Sequence, residues 1–395
     1  MNVLVADKLS EKGISALRDS GCNLEVRPEL TTDTLASALD GVEVLVVRST
    51  RVQKEQIRAA KALSLIIRAG AGVNTIDLEE AGKHGIHVSN CPGKNKDAVA
   101  ELTAGLIIAS DRRIVDASLD MRKGEWGKKK YAGAGGLKGR TLGVIGFGSI
   151  ARAVIKRFKA FEMKIAVWSR SFSQEKADES GLVYCKTLND IALISDVVSV
   201  HIASVPETKH LINSDFFSRM KDAAIFVNTS RGEVVDTGAL KKAIPRKGLR
   251  VGLDVYENEP SGSNREFCDT ELSHLVTATP HIGASTEQSS TAIAMQVVEI
   301  IKEYMETGKP PYAVNIQRKS PAVTSLIVRH YNKVGVLAFV LDKLRKEEIN
   351  IEEMENTIFK GCKAASCTMK LDNTPSKDFL PGILENRYII QAVLK

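Results

Sequence analysis

The 395-residue chain lacks several features that would assign it to a specialised class of protein. No run of 18 apolar residues occurs, so we expect no membrane-spanning helix and no membrane partner. The six cysteines form no Cys-x-x-Cys pair, and the seven histidines show neither His-x-His nor His-x-x-x-His spacing. These spacings predict no metal site, and unpaired thiols favour a cytoplasmic protein.

The chain also has no long block of one charge sign. Its formal net charge is +7, but the lysines and arginines are dispersed, and the densest basic run is the three lysines 128–130. So short a run is typical of a solvated surface or of a site for a small anion, and it predicts no nucleic-acid partner. A hydrophobic content of 43% indicates a globular protein with sizeable cores, and the length indicates two or three domains.

A glycine-rich stretch follows the apolar segment 142–145 and runs into residues with helical spacing after position 151. A strand, a tight glycine-rich turn and a helix are the context of a dinucleotide-binding fingerprint. The first glycine permits the turn, the second lets the backbone approach a pyrophosphate, and the small Ala151 lets helix and strand pack closely. We therefore expect a dinucleotide at Gly146, Gly148, Ser149 and Ile150.

The choice between NAD and NADP depends on a residue roughly twenty positions further along such a fold. An acidic residue at the end of the next predicted strand, residues 164–168, would bind the ribose 2′-hydroxyl of NAD. This chain has Ser169 and Arg170 there, and Arg170 could pair with a 2′-phosphate. The sequence leaves both NAD and NADP open as the cofactor.

Apolar segments alternate with helical segments over most of the chain, which predicts parallel α/β units. From about residue 323 the order becomes βαββαβ, which is typical of a small α+β module. We expect two Rossmann-like or flavodoxin-like parallel-sheet domains followed by this module. The expected boundaries are 1–93 with 282–312 for a discontinuous substrate-binding domain, 94–281 for the nucleotide-binding Rossmann domain and 322–395 for the module, with Pro310, Pro311 and residues 315–321 as its linker.

Three polar residues follow predicted strands in the second domain: Arg231, Glu259 and His281. Strand carboxyl ends meet at one edge of a parallel sheet, so the three can converge. A histidine can exchange a proton with a substrate hydroxyl, a carboxylate can hold that histidine, and an arginine can clamp a substrate carboxylate. Each also has a plainer interpretation as a strand cap, a solvated turn residue or a loop imidazole. The other six histidines, 84, 87, 201, 210, 274 and 330, have no comparable partner in the sequence and are predicted to be structural.

Five segments together resemble the D-isomer-specific 2-hydroxyacid dehydrogenases: residues 68–73, 146–151, 228–236, 254–260 and 280–287. The resemblance extends over about residues 3–308 and implies hydride transfer between a nicotinamide cofactor and a 2-hydroxy acid. It implies that Arg231 binds the substrate carboxylate and that Glu259 pairs with His281, the acid/base. It further implies cofactor contacts from His201, Thr229 and Asp254 and substrate contacts from Arg48, Arg68, Ala71 and Gly72.

Residues 329–337 and 349–351 resemble an ACT regulatory domain. A dehydrogenase of this family with such a tail is similar to enzymes that oxidise 3-phosphoglycerate to 3-phosphohydroxypyruvate at the start of L-serine synthesis. The resemblance implies a homodimer or homotetramer and a site for the effector L-serine at His330, Asn332 and Asn350. A plainer interpretation of those three residues is loop capping and a turn.

Two other functions stay open. Ser169 and Arg170 favour an NADPH-dependent glyoxylate or hydroxypyruvate reductase, whereas the ACT-like tail disfavours it. A non-catalytic dinucleotide-sensing protein, like the corepressors that share this fold, is disfavoured by the tail and by the lack of a long disordered region.

Overall fold

The computed structural model describes residues 1–260, 266–317 and 320–395. The chain divides into two compact units, Met1–Asn315 and Ile316–Lys395. Within the described residues, no helix is both long enough and apolar enough to cross a membrane.

The first unit begins with a five-stranded parallel sheet in the order β2-β1-β3-β4-β5, which is the flavodoxin-like order. Its strands are β1 (Asn2–Val5), β2 (Asn23–Val26), β3 (Val44–Val47), β4 (Leu65–Arg68) and β5 (His87–Asn90). The connecting helices are α1 (Glu11–Arg18), α2 (Thr32–Leu35), α3 (Lys54–Ala59) and α4 (Leu78–Lys83). Alternate residues of the central strands enter two separate apolar cores, so both faces of the sheet are covered.

A second parallel sheet has seven strands in the order β12-β11-β10-β9-β6-β7-β8. The strands are β6 (Thr141–Ile145), β7 (Lys164–Trp168), β8 (Val183–Tyr184), β9 (Val197–Val200), β10 (Ile225–Asn228), β11 (Arg250–Leu253) and β12 (Thr277–Ala278). The strand order reverses between β6 and β9, where ligands of open α/β sheets bind. This is the Rossmann order with one further strand, which confirms the predicted fold class.

Long and short helices accompany the second sheet. They are α5 (Lys96–Arg112), α6 (Ile114–Arg122), α7 (Ser149–Ala160), α8 (Gln174–Ser180), α9 (Leu188–Ile194), α10 (Ser214–Arg219), α11 (Thr237–Lys247) and α12 (Thr270–Leu275). The helix α5 packs against α7, β10 and β11, whereas the following long helix, α13 (Glu287–Thr307), packs against α1. The chain thus returns to the first sheet after β12, as a discontinuous first domain requires. The exact domain boundaries stay a prediction.

The segment after α13 packs along β5 instead of forming a free linker. The Ser89 hydroxyl donates to the Pro311 carbonyl (2.9 Å), and the Asn315 side-chain oxygen accepts from the Val88 N–H (2.8 Å). Residues 311–315 therefore belong to the first unit, and the prediction that Pro310 and Pro311 open the linker is corrected. The remainder of that prediction falls partly outside the described residues, at 318–319.

The second unit is a four-stranded antiparallel sheet in the order β14-β15-β13-β16. Its elements are β13 (Thr324–Tyr331), α14 (Val336–Lys346), β14 (Ile351–Ile358), β15 (Ala364–Leu371), α15 (Phe379–Leu384) and β16 (Ile389–Leu394). Leu326 and Val328 of β13 form a core with Val340 of α14 and Ile383 of α15. The predicted βαββαβ order is confirmed, and its assignment as an ACT domain stays a prediction.

Candidate functional site

Arg231, Glu259 and His281 follow three neighbouring strands and line one cavity of about 1190 Å³. Arg231 comes after β10, Glu259 after β11 and His281 after β12. The shared carboxyl edge of a parallel sheet brings them together although 28 and 22 positions separate them in the sequence. The convergence predicted from the sequence is therefore present in the structure.

His281 and Glu259 are hydrogen-bonded side chain to side chain. The distance from His281 Nδ1 to Glu259 Oε2 is 2.7 Å, and the other carboxylate oxygen accepts the Tyr256 N–H at 3.0 Å. Burial raises the pKa of the Glu259 carboxyl, but the hydrogen bond and charge of His281, the Tyr256 N–H and the charge of Arg231 together hold that pKa below its usual value. Glu259 is thus an ionised acceptor at neutral pH. With Nδ1 engaged, Nε2 is the nitrogen of His281 that remains for a substrate.

The loop that carries His281 is held from beneath by Asp254, which is 1% exposed. One carboxylate oxygen accepts the Thr279 hydroxyl (2.7 Å) and the Ile282 N–H (2.8 Å), and the other accepts the Gly283 N–H (2.8 Å). His281 has φ +52°, a left-handed conformation that few non-glycine residues adopt. Asp254 therefore fixes the loop around a strained residue. Its predicted contact with the cofactor stays a prediction.

Tyr256, which was not predicted from the sequence, contacts both Glu259 and the loop that carries His281. Besides its N–H bond to Glu259, its hydroxyl donates to the carbonyls of Thr279 (3.1 Å) and Leu253 (3.2 Å). Burial, with the nearby charge of Asp254, raises the pKa of Tyr256 to about 12, so the phenol stays a donor. No sequence pattern marks this residue, because its role depends on contacts across 23 positions.

The turn that carries Arg231 is organised by Asn228 at the end of β10. The buried amide of Asn228 accepts the Ser230 N–H (3.0 Å) and donates to the Arg231 carbonyl (2.9 Å). The guanidinium reaches towards Gly72: a Cβ built there would lie 2.3 Å from Arg231 Nη2. A side chain at position 72 would therefore displace this guanidinium, so Gly72 of the predicted substrate loop at Ala71 and Gly72 lets Arg231 adopt its observed position.

Arg48 and Arg68, the predicted substrate cations, line the same cavity as Arg231. Burial lowers the pKa of Arg68 to about 10, with further lowering by the charges of Arg231 and Arg48, and the buried Nε of Arg68 has no hydrogen-bond partner. In the part of the chain that the structure describes, no ion pair joins any of the three guanidinium groups to a carboxylate, and Arg231 Nη1 donates to the Ser230 carbonyl (2.6 Å). The three guanidinium groups therefore offer cationic partners for an anionic ligand, in a cavity that is also lined by the carboxylates of Asp7, Glu233, Glu257, Glu259 and Glu266.

Asp7, at the end of β1, positions the Arg48 loop and was missed by the sequence reasoning. A single carboxylate oxygen of Asp7 accepts three successive backbone N–H groups, from Arg48 (2.7 Å), Ser49 (3.1 Å) and Thr50 (3.0 Å). This oxygen is occupied by the backbone; among the described residues Asp7 forms no ion pair with Arg48, although its charge acts on Arg68. One aspartate 41 positions away offers no signal in the sequence for such a contact.

The glycine-rich turn has the geometry that a dinucleotide needs. Gly146 has φ +105°, and a Cβ there would lie 2.2 Å from the His201 carbonyl oxygen. Gly148 has an ordinary φ of −75° at the start of α7, and no described atom lies within 4 Å of a Cβ built on it. Ser149 and Ile150 then open α7, whose free N–H groups can bind a pyrophosphate. The residues present therefore fit the predicted cofactor.

The remaining predicted cofactor residues lie along the same edge. Half-buried Ser169 and exposed Arg170 directly follow β7, the strand beside β6. His201 follows β9; burial lowers the pKa of this imidazole to about 4, and its Nε2 is 2.8 Å from the Ser199 hydroxyl. The Thr229 hydroxyl bonds to that of Thr103 (2.9 Å). The position of all four is compatible with the prediction, and their contacts with a cofactor stay predicted.

The expectation that the other six histidines have no partner comparable to that of His281 is wrong for His210. The imidazole Nε2 of His210 is hydrogen-bonded to the Glu257 carboxylate, a partner as good as the one that His281 has. His84 also lies near a carboxylate, at 3.8 Å from Glu80. The His210–Glu257 contact joins residues 47 positions apart and depends on the fold, whereas His84 and Glu80 lie four positions apart at the end of one helix. Within the described residues, no three histidine, cysteine or acidic side chains group to hold a metal ion.

The three effector candidates lie in the second unit. His330 is 2% exposed, and its Nδ1 is 2.8 Å from the Tyr331 carbonyl. Asn332 donates to the Cys362 carbonyl (3.1 Å), and Asn350 donates to Glu352 (3.0 Å). Serine binding by these residues stays a prediction.

Comparison with known proteins shows the family to which the chain belongs. Residues 104–283 match the family described as D-isomer specific 2-hydroxyacid dehydrogenase, NAD binding domain. The chain is 39% identical to a hydroxypyruvate reductase of Thermotoga maritima over 305 residues, which cover 76% of this chain and 97% of that relative. The chain belongs to the D-isomer-specific 2-hydroxyacid dehydrogenase family. Its Rossmann domain is the NAD-binding domain of that family.

Two further relatives are D-3-phosphoglycerate dehydrogenases. That of Archaeoglobus fulgidus is 39% identical over 325 residues, covering 82% of this chain and 60% of the relative. That of Bacillus subtilis is 31% identical over 400 residues, covering 98% of this chain and 74% of the relative. This chain thus spans about 60% of the length of the Archaeoglobus relative, and the Bacillus match extends through the second unit.

The two fingerprint glycines should respond differently to alanine. Gly146→Ala should destabilise the protein by about 1–3 kcal/mol, because it places a Cβ against the His201 carbonyl at a positive φ. Gly148→Ala should leave the Tm unchanged, because that Cβ meets no protein atom, yet raise the Kd for NADH by about tenfold through crowding of the pyrophosphate. Thermal unfolding and NADH fluorescence titration measure the two effects. An unchanged Kd for Gly148→Ala would contradict the assignment of the turn.

Proposed function

We propose that this protein is a D-3-phosphoglycerate dehydrogenase, which oxidises 3-phospho-D-glycerate to 3-phosphohydroxypyruvate at the start of L-serine synthesis. The observation that carries the proposal is the cavity in which Arg48, Arg68 and Arg231 lie beside the Glu259–His281 pair, without an ion pair to any carboxylate of the described residues. The substrate carries a carboxylate and a phosphate, and a phosphate monoester has a charge of about −1.5 to −2 at pH 7. Two anionic groups need more cations than a simple 2-hydroxy acid does.

Each residue would have a separate task in the oxidation. Arg231 binds the carboxylate and holds C2 of the substrate in place, since a guanidinium matches a carboxylate in bidentate fashion. His281 accepts the proton of the 2-hydroxyl at Nε2, and Glu259 stabilises the imidazolium that forms. The bound nicotinamide supplies the hydride acceptor. In the reverse direction, His281 returns its proton to the forming hydroxyl.

Arg48 and Arg68 would bind the phosphate. Arg48 is presented by the loop that Asp7 holds, and Arg68 has an unpartnered buried Nε. Burial first, and then the charges of Arg231 and Arg48, lower the pKa of Arg68, so a bound dianion would relieve repulsion among the three. This relief adds to the affinity for a phosphorylated substrate and not for an unphosphorylated one.

A second candidate function is an NADPH-dependent glyoxylate or hydroxypyruvate reductase. Two observations favour it: Ser169 and Arg170 replace the acidic residue expected for NAD, and the Thermotoga relative is a hydroxypyruvate reductase. The second unit supports the first proposal instead. The Thermotoga match already covers 97% of that relative, so this relative has no counterpart of the 80 residues 316–395, whereas the match to the Bacillus enzyme includes them.

Arg48→Ala should raise the KM for 3-phosphoglycerate by about tenfold or more, because it removes one cation from the phosphate. The KM for glycerate, which lacks the phosphate, should change by less than about twofold. Steady-state kinetics with NAD and each substrate measure the difference. Arg219→Ala, on the exposed face of α10, is the matched control and should change neither KM. Equal losses on both substrates would remove Arg48 from phosphate binding, and no oxidation of 3-phosphoglycerate by the unsubstituted protein would contradict the proposed substrate.

Arg170→Ala should distinguish the cofactors. If Arg170 pairs with the 2′-phosphate, the substitution raises the Kd for NADPH by about tenfold while the Kd for NADH stays within about twofold. Lys164→Ala, at the opposite end of β7, is the control and should alter neither value. Fluorescence titration with both dinucleotides is the measurement, and an equal loss of both would refute a role in cofactor selection.

A further inference from the structure

Three segments of the first unit meet beside the cavity: residues 208–212, the turn 231–235 and the loop 254–260. His210 contacts the other two. Its backbone N–H donates to the Glu233 carbonyl (2.9 Å), and its imidazole is hydrogen-bonded to the Glu257 carboxylate. His210 has φ +51°, so contacts around it hold the backbone in an uncommon conformation.

Glu257 is anchored on both carboxylate oxygens. One oxygen faces His210, and the other accepts the Thr237 N–H at the start of α11 (3.3 Å). Burial raises the pKa of Glu257, but the hydrogen bonds from His210 and Thr237 and the charge of His210 outweigh it, so that the pKa lies below the usual value. The ionised carboxylate of Glu257 lies two residues before Glu259, in the loop that places Glu259 beside His281.

The loop 254–260 lies directly on the turn that follows Arg231. A Cβ built on Gly232 would lie 1.9 Å from the Tyr256 carbonyl carbon and 2.4 Å from the Glu257 nitrogen. The two backbones therefore touch, and His210 bonds to one residue on each side of that contact. The Arg231 turn is also held by Asn228, whereas Glu257 is the only residue of its loop that bonds to residues 208–212 among those described.

We infer that His210 is a positioning residue, which through Glu257 holds the Glu259 loop against the Arg231 turn and so sets the geometry of the Glu259–His281 pair. The inference rests on the proposed dehydrogenase function. His210 touches neither substrate nor cofactor in this role. Its loss should loosen the loop that carries Glu259 while the Arg231 turn, held by Asn228, keeps its shape.

Because the loss of His210 should loosen the Glu259 loop but not the Arg231 turn, it should change kcat much more than KM. His210→Ala should lower kcat by about tenfold, because small misplacements of groups around the reacting atoms are costly. The KM for the substrate should change by less than about twofold, since Arg231 stays in place. If His210 had a merely structural role, its substitution would lower the Tm without a specific loss of kcat.

The pH profile provides an independent readout. Among the described residues, the charged groups around the Glu259–His281 pair are Arg231 and Glu233 after β10, Asp254 and Glu257 after β11, and Glu266. With Glu259 loosened, the imidazolium of His281 loses stabilisation, so the inflection in kcat/KM that reports His281 should move to lower pH in both reaction directions. Glu257 is the only charged group that pairs with His210 among the described residues.

The experiment compares the unsubstituted protein with His210→Ala, His210→Gln, Glu257→Ala and the double variant. Rates of 2-oxo acid reduction with NADH are measured across pH, with the Tm of each variant. His210→Gln can still donate to Glu257 and should recover most of kcat. In the Glu257→Ala background, His210→Ala should have no further effect. His84→Ala removes a similarly exposed histidine near Glu80, and it should leave kcat and the pH profile unchanged.

The outcomes separate the inference from the function it rests on. Unchanged kcat and pH profile in His210→Ala and His210→Gln would overturn the inference, as would equal losses from His210→Ala with and without Glu257. If His210→Ala does not fold, Glu257→Ala decides the question: a tenfold lower kcat with the inflection at lower pH supports the inference, and an unchanged kcat and pH profile overturn it. An unsubstituted protein that turns over no 2-oxo acid would instead overturn the proposed function.

Discussion

Arg231, Glu259 and His281 lie at the carboxyl edge of the seven-stranded sheet, and the arrangement of this edge depends most on the buried carboxylate of Asp254. It accepts three hydrogen bonds from the loop 279–283 and so holds His281 in a left-handed conformation beside Glu259. Buried donors that lose their acceptor cost free energy, so this loop has no comparable alternative position. The Tyr256 hydroxyl adds a second attachment at Thr279. The imidazole is thereby presented with Nδ1 to Glu259 and Nε2 to the cavity.

Three of the carboxylates that line the cavity are hydrogen-bonded to other groups of the protein. Asp7 is occupied by backbone N–H groups, Glu259 by His281 and Glu257 by His210. Among the described residues the three arginines form no ion pair with a carboxylate, and Arg68 is the one whose pKa burial lowers. A ligand with two anionic groups is the natural complement to this arrangement. The same reasoning explains why the proposed substrate is phosphorylated and why a simple 2-hydroxy acid should bind more weakly.

Much of this could be predicted from the sequence because parallel sheets have a simple rule: strand carboxyl ends share one edge. The convergence of Arg231, Glu259 and His281 could therefore be predicted from their positions after apolar segments, and the turn at Gly146 to Ala151 from its glycines. The separate roles of the three residues came from the family resemblance. The contacts of Asp7, Asn228, Tyr256 and His210 were not recognisable, because each joins a polar side chain to a segment that the fold alone brings near. The packing of residues 311–315 on β5 was missed for the same reason, since a proline pair indicates a turn but not what lies against it.

The most direct test of this account is the maximal rate of 2-oxo acid reduction with NADH in His281→Ala. The account predicts a loss of kcat on the order of 10² or more, with the Kd for NADH unchanged, because only the proton donor has been removed. A kcat near that of the unsubstituted protein would contradict the assignment of His281 and, with it, the role given to the Asp254 and Glu259 carboxylates that hold it.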